Sequence, residues 1–460
     1  MAAGCTLGPD YKRPPVSVPA TYRGESGAAA GARSFGDLTW WEVFDDEELQ
    51  GLIRRAIQNN YDLQIAAARV LEARAQVGVA QSFLFPQVGG RASAARLGVS
   101  ANQFIPPPPG TDRQGNDFLL GADLSWELDF WGKFRRGTEA ARAQLLATEE
   151  ARWTVLQSLV TEVASTYFDL RGLDEALGVA KRTVAIREKS LQLVRIRRAG
   201  GVASGVDVWQ AESLLATAQA TIPDFERQIE QAENRITLLL GENPGPIRRG
   251  RSLTQQAIPP TIPAGLTSTL IERRPDIRLA EQQLVAANAD IGVAKSLFFP
   301  QIVLTASGGW QSADLSKLFD GPSGWYSIAA ALLAPIFTGG RLTSNLQGVE
   351  ARHQELVLTY QQTILQGFRE VSDGLVGYRK ARERREEEDR VVRALTGYAD
   401  LSVVRYKGGV TSYLEVLDAE RQRFEAELEL VSAQRGELLA FVQVYKALGG
   451  GWQQEAVPTR

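Results

Sequence analysis

Few residues in this chain are of the kinds that do chemistry. Its 460 residues include one cysteine, one histidine and one methionine. Cys5 stands alone, so no internal disulfide and no thiolate metal cluster can form. His353 and Met1 do not extend it into a ligand set, and no carboxylate loop has the spacing of a cation site. No nucleophile–base set or phosphate-cradling glycine loop is legible, so no catalytic residue, metal or cofactor is expected. What remains is an acyl acceptor. Ala3-Gly4-Cys5 is the small-small-Cys end of a bacterial lipoprotein signal, without its hydrophobic stretch. Cleavage before Cys5 would leave lipid on its sulfur and nitrogen. Thr6 follows rather than Asp, which favours sorting to the outer membrane. Acyl chains alone hold a protein reversibly, so a second attachment is expected.

No stretch of eighteen consecutive apolar residues is present, so no transmembrane helix is expected. Strands can supply the attachment instead. Phe118, Leu120, Ala122, Leu124, Trp126, Leu128 and Phe130 alternate with a series holding Gly121, Asp123, Ser125, Glu127 and Asp129. This is a strand with one apolar and one polar face. Acidic residues cannot face lipid cheaply, so they face water or a lumen. The theme returns at Ile302, Leu304, Ala306 and Trp310, then at Tyr326, Ile328, Ala330, Leu332, Ala334 and Ile336. Trp310, Trp325, Tyr326 and Phe337 fall near strand ends, where aromatic girdles are expected. Two hairpins are predicted, at about residues 85–131 and 299–337. In the first, the prolines of FIPPPPGTDRQGND confine that segment to a surface loop. Four strands cannot close a barrel, and an open edge in lipid strands backbone groups, so several chains must share one.

The elements around these strands are written twice. GVAQSFLFPQV (Gly78 to Val88) recurs as GVAKSLFFPQI (Gly292 to Ile302), and RRAGGVASGVDVWQAE (Arg197 to Glu212) as RYKGGVTSYLEVLDAE (Arg405 to Glu420). A duplication this long favours an architectural or channel role over an asymmetric catalytic site. Arg135 to Arg198 and Arg341 to Lys407 contain no proline; about 65 helical residues would span roughly 95 Å, too long for a globule. Each ends in a GGV turn. The return helices carry seven-residue series: Val208, Leu215, Ile222, Ile229 and Ile236, then Leu417, Phe424, Val431, Leu438 and Tyr445. That period indicates coiled-coil packing. Pro223 should kink or interrupt the first of them. RKARERREEEDR (Arg379 to Arg390) reads as a solvated face with internal ion pairs. The net charge of −3, with 44% hydrophobic residues, gives no field for nucleic acid. The expected division is an N-terminal arm over 1–45, a first repeat over 46–245, a linker over 246–265, a second repeat over 266–449 and a tail over 450–460. The arm should run extended over a neighbour or the outside of the assembly.

Together these motifs resemble a family. CTLGPDYKRPPV, WWEVFDDEELQGLI, the paired FPQ strands, LDFWGKFRRG, PIFTGGRL and the two GGV turns are similar to those of the outer membrane factors of tripartite efflux pumps. The likeness is to the TolC superfamily, especially its OprM-like and NodT-type lipoproteins. The resemblance implies a homotrimer. Each chain would give four strands to a twelve-stranded outer-membrane β-barrel and its helices to a long periplasmic α-helical barrel. It implies passive conduction beside a periplasmic adaptor and an inner-membrane RND transporter, with outer membrane lipids as surroundings. It also implies a periplasmic gate at Arg405, Tyr406, Leu414, Asp418 and Arg421. Leu414 and Asp418, four apart, share a helical face. The turns Gly200, Gly201, Val202 and Ser204, and Gly408, Gly409, Val410 and Ser412, would meet the adaptor. Gly205 stands opposite Tyr413 and Gln210 opposite Asp418, so the second turn reads as the gating copy. The exit duct of a type I protein-secretion system would share this fold. A lipid-anchored coiled-coil scaffold is the reading from a different class, against which the alternating strands argue.

Overall fold

The structure is a computed structural model that describes residues 6–24, 34–100, 102, 108, 110, 112–256 and 258–451. Cys5, much of the proline-rich loop and residues 452–460 lie outside the described residues. Among the described residues the elements run α1 (Trp40–Val43), α2 (Glu47–Asn59), α3 (Tyr61–Ser82), β1 (Gln87–Gly98), β2 (Gln114–Leu128), α4 (Lys133–Ala199) and α5 (Gly205–Leu239). Then follow α6 (Leu270–Arg273), α7 (Pro275–Ser296), β3 (Gln301–Ser312), β4 (Gly324–Leu333), α8 (Arg341–Lys407) and α9 (Tyr413–Ala447).

The copies agree closely in length. The helices α3 and α7 have 22 residues each, β1 and β3 have 12, α4 and α8 have 67, and α5 and α9 have 35. The mismatch falls on the second strands, 15 residues in β2 against 10 in β4. The helix α5 runs on through Pro223, so of the expected kink or interruption the interruption does not occur. Two compact units cut across the repeats: Met1–Pro15 with Arg69–Glu149 and Leu279–Tyr360, and Val16–Ala68 with Glu150–Arg278 and Gln361–Arg460.

The first unit holds one antiparallel sheet in the order β1-β2-β3-β4, with the two copies joined at its central ladder. Register decides its faces. Phe118 pairs with Ala94 and Ser312, Leu124 with Val88 and Ala306, Ala306 with Ile328, and Ile302 with Leu332. Even-numbered residues therefore share one face in all four strands, and that face is mostly apolar. Odd-numbered residues put Arg91, Ser93, Asp117, Asp123, Ser125, Glu127, Thr305 and Ser307 on the other. Among the described residues, the outer edges of β1 and β4 have no partner strand.

Two strands stop sooner than their alternation. β2 ends at Leu128 because Asp129 turns to cap α4, accepting from the amides of Phe134 and Arg135 at 2.9 and 3.0 Å. β4 ends at Leu333, two residues before Pro335, which has no amide hydrogen to give a ladder. Phe130, Ala334 and Ile336 thus lie beyond the strands that their alternation suggested. The described start of the arm lies on its own unit. Leu7 donates to Trp131, the buried Arg136 reaches Leu7 and Asp10, and Arg13 grips Glu281 with two bonds of 2.7 and 2.8 Å.

In the second unit the seven-residue series meet the core as the periodicity predicts. Val208, Ile229, Ile236, Phe424, Val431, Leu438 and Tyr445 are buried, while Leu215, Ile222 and Leu417 are half-buried. The charged run pairs along its own helix, Arg382 with Glu386 at 3.1 Å and Arg384 with Glu388 at 3.6 Å. It also crosses to α9, where Arg385 meets the buried Glu437 at 2.9 Å. Asp46 is a polar hub. One carboxylate oxygen accepts from the amides of Glu48 and Leu49; the other accepts from Tyr167, Arg251 and Gln256. Tyr167 is held for this role because its oxygen accepts from Gly250. Asp46→Asn turns an acceptor into a donor inside that ring. It should lower stability by about 2 kcal/mol, read as a fall in the melting temperature of the detergent-solubilised protein; an unchanged melt would remove Asp46 from its role as hub.

Candidate functional site: the paired helix reversals

The two GGV turns are built alike on their first halves. Gly201 and Gly409 each have φ of 75°, the left-handed geometry that glycine adopts without strain. Val202 donates to Arg197 and Gly201 to Arg198, at 2.9 and 3.0 Å. Val410 donates to Arg405 and Gly409 to Tyr406, both at 3.0 Å. This paired closure ends α4 and α8 by satisfying their last carbonyls. It leaves the side chains of Val202 and Val410 at 65% and 71% exposure. Apolar side chains in that position are free to meet a partner.

The second halves differ. Ser204 and Asp207 cap α5 reciprocally, each accepting from the other's amide, at 3.2 and 2.8 Å. Ser412 makes no such side-chain cap on α9. The residue in the place of Asp207 is Glu415, and it is diverted. It accepts from Thr411 and pairs with Arg405 at 3.2 Å. Arg197, which corresponds to Arg405, is diverted too: it donates to the carbonyl of Lys407 and lies over the ring of Tyr406 at 4.6 Å. One arginine thus ties the end of α4 to the end of α8, and its counterpart closes the second turn on itself.

Behind the turns is one apolar cluster of Leu191, Val194, Val208, Ala211, Tyr406, Tyr413 and Val416, drawn from all four long helices. Tyr406 belongs to it, packed against Tyr413 with ring centroids 5.4 Å apart. Burial, with Glu420 nearby, pushes the Tyr413 phenol up to about 12, so it stays neutral at physiological pH. Leu414 stands outside the cluster at 59% exposure. Asp418 is partnered along α9, by Arg421 at 3.2 Å and Gln422 at 2.6 Å; Arg421 also reaches Glu425 at 3.1 Å. Arg405, Leu414, Asp418 and Arg421 therefore lie on or near the surface around the second turn, and Tyr406 lies behind it.

Deeper, Arg187 is buried beneath the reversals. It donates to the carbonyl of Leu214 at 2.7 Å and stacks on Phe424 at 4.9 Å. Burial lowers its pKa and raises that of the neighbouring Glu420. Sequence reasoning missed Arg187, Arg197 and Glu415. The last two could have been found by laying the repeats over one another: a capping-box acid had become a longer one beside an arginine.

The profile of the family described as "Outer membrane efflux protein" matches residues 52–242 and 266–450, together most of the chain. The chain belongs to the outer membrane efflux protein family. The solvent efflux pump outer membrane protein SrpC of Pseudomonas putida is 37% identical over 459 residues, covering 98% of this chain and 96% of its own length. The outer-membrane channel OprN superposes with a TM-score of 0.89 at 31% identity, covering 98% of this chain and 100% of its own. The open-state MtrE channel of Neisseria gonorrhoeae gives a TM-score of 0.87 at 32% identity, over 98% and 99%. This outer membrane efflux protein is thus an efflux channel of the outer membrane with four strands per chain and long helices. In an outer-membrane barrel the mostly apolar face of this sheet is the one suited to lipid and the polar face the one suited to the lumen.

The turn geometry separates neighbouring glycines. A methyl on Gly408 would meet only ordinary contacts beyond 3.5 Å, whereas Gly409 is left-handed. Gly409→Ala should cost about 1 kcal/mol, and Gly408→Ala much less. Equal melting temperatures for the two variants would contradict the assigned geometry.

Proposed function

We propose that this efflux protein is the exit duct of a tripartite pump. Three copies share one twelve-stranded barrel, a periplasmic adaptor meets its helix reversals, and an inner-membrane RND transporter supplies the energy. The duct itself conducts small molecules passively. The observation that carries this reading is the sheet: one mostly apolar face, with both edge strands unpaired among the described residues. An edge left open in lipid is costly, and further copies of the chain are its natural partners. The efflux roles named for the relatives, solvent export by SrpC among them, support small-molecule cargo.

The constriction belongs to the second reversal. Leu414 is exposed there, and Asp418 carries a charge one helical turn away. Three copies would bring three leucines and three aspartates together. Like charges so gathered repel unless cations sit among them. Arg421 already sits at Asp418, and Arg405, paired with Glu415, is near enough in sequence to join. Each exposed pair contributes little alone, so closure relies on a threefold set. Replacing Leu414 and Asp418 together with alanine should raise single-channel conductance in planar bilayers several-fold. A double variant that conducts like the parent would move the constriction elsewhere.

Adaptor contact is assigned to Val202 and Val410 with their glycine neighbours. Both side chains project from turns whose backbone is already satisfied, so substitution there spares the fold. Val202→Arg and Val410→Arg should leave the melting temperature unchanged while abolishing drug resistance and adaptor cross-linking in cells. Normal cross-linking in both variants would place the contact on another surface.

A further inference from the structure

One large aromatic residue lies on the polar face of the sheet. Trp325 pairs across β3 with Gly309, Gly309 pairs with Gly121, and Gly121 pairs with Arg91. The indole crosses Gly309 entirely. Its outer carbon Cζ2 lies 3.7 Å from where a side chain on Gly121 would begin. Gly309 can carry no side chain, since a methyl there would sit 2.1 Å from the carbonyl oxygen of Leu120. Two facing glycines therefore form a floor, and the ring lies across it. Aromatic cover of strand glycines is a known stabilising device. Trp325 alone in β4 is partly buried, and the other nine residues of the strand are exposed. Its Nε1 is buried without a protein partner, so the ring is held by packing. What it offers to the lumen is the exposed part of an aromatic ring.

The charges near it on that face are of both signs, with Arg91 at the far end of the same row. Asp123 lies two residues along β2 from Gly121, on the same face. Arg91 approaches Asp123 only to 3.9 Å, and both are about half exposed. Trp126 and Trp310, by contrast, lie on the apolar face.

We propose that Trp325 is a stacking platform inside the barrel for planar aromatic cations in transit. This rests on the channel reading. The ring's negative π-face attracts a flat cation, while the neighbouring Asp123 is balanced by Arg91, so the recognition rests on the ring. An aliphatic cation of equal charge lacks the flat surface to match it.

The test uses the purified full chain in planar bilayers, with ethidium as the planar cation and tetrapropylammonium as the aliphatic one. Ethidium should block the current for about fivefold longer in the parent than in Trp325→Ala, the factor expected of one exposed cation–aromatic contact. Trp325→Phe should keep part of that dwell. Trp310→Ala should keep all of it, since its ring faces lipid. Tetrapropylammonium should not distinguish any of them. Equal dwell times for the two cations in the parent would overturn the platform without any variant, even if Trp325→Ala fails to assemble. So would parental behaviour in Trp325→Ala. A parent that forms no conducting pore would instead overturn the channel reading.

Discussion

A strand edge cannot be left open in hydrocarbon. Each backbone amide and carbonyl there must find a partner, because no water is present to replace one. In this chain the central ladder between β2 and β3 joins the two copies, and β1 and β4 are left with one free row each. Most else follows from that condition. One face is mostly apolar along all four strands, as lipid requires. The polar face carries acids because it lines a lumen. The strands hand over to helices through local devices, Asp129 capping α4 and Pro335 closing the ladder of β4.

Duplication supplies the frame, and the departures from it mark where the copies took on different work. The closures of α4 and α8 match bond for bond. Past the glycines the copies part. Asp207 caps its own helix, while Glu415 gives up that role and holds Arg405. Arg197 reaches over to Lys407 and Tyr406. One turn is thus fastened to the other, and the second is fastened to itself. A difference of this kind is what a gate in one copy and a brace in the other would need.

Much of the architecture could be read from the residues, because strict alternation and a sustained seven-residue period are strong signals. The paired strands, the long helices, the return helices and their buried series all came from spacing. The strand ends did not, since alternation continues through Phe130 and Ile336 while capping and proline chemistry stop the ladder first. Pro223 does not interrupt α5: long neighbouring helices supply packing that an isolated helix with a mid-chain proline lacks. At the reversals, the exposed valines and positive-φ glycines were legible. That Tyr406 points inward was not, because a tyrosine beside a turn has no periodic partner to fix its side. The buried Arg187 gave no signal either, since nothing in a sequence marks which arginine of a long helix will be covered.

The helices of the two copies agree to the residue, 67 with 67 and 35 with 35. Both reversals close on a single apolar cluster that takes Val194 and Val208 from one copy and Tyr406 and Tyr413 from the other. Adding one residue to α4 alone would push its turn about 1.5 Å along the axis and swing it by about 100°. Val194 would leave the cluster, and Arg197 would lose sight of Tyr406. Length in this protein is therefore a matched dimension, like the legs of a caliper. A change in one copy is a fault until the other copy makes the same change.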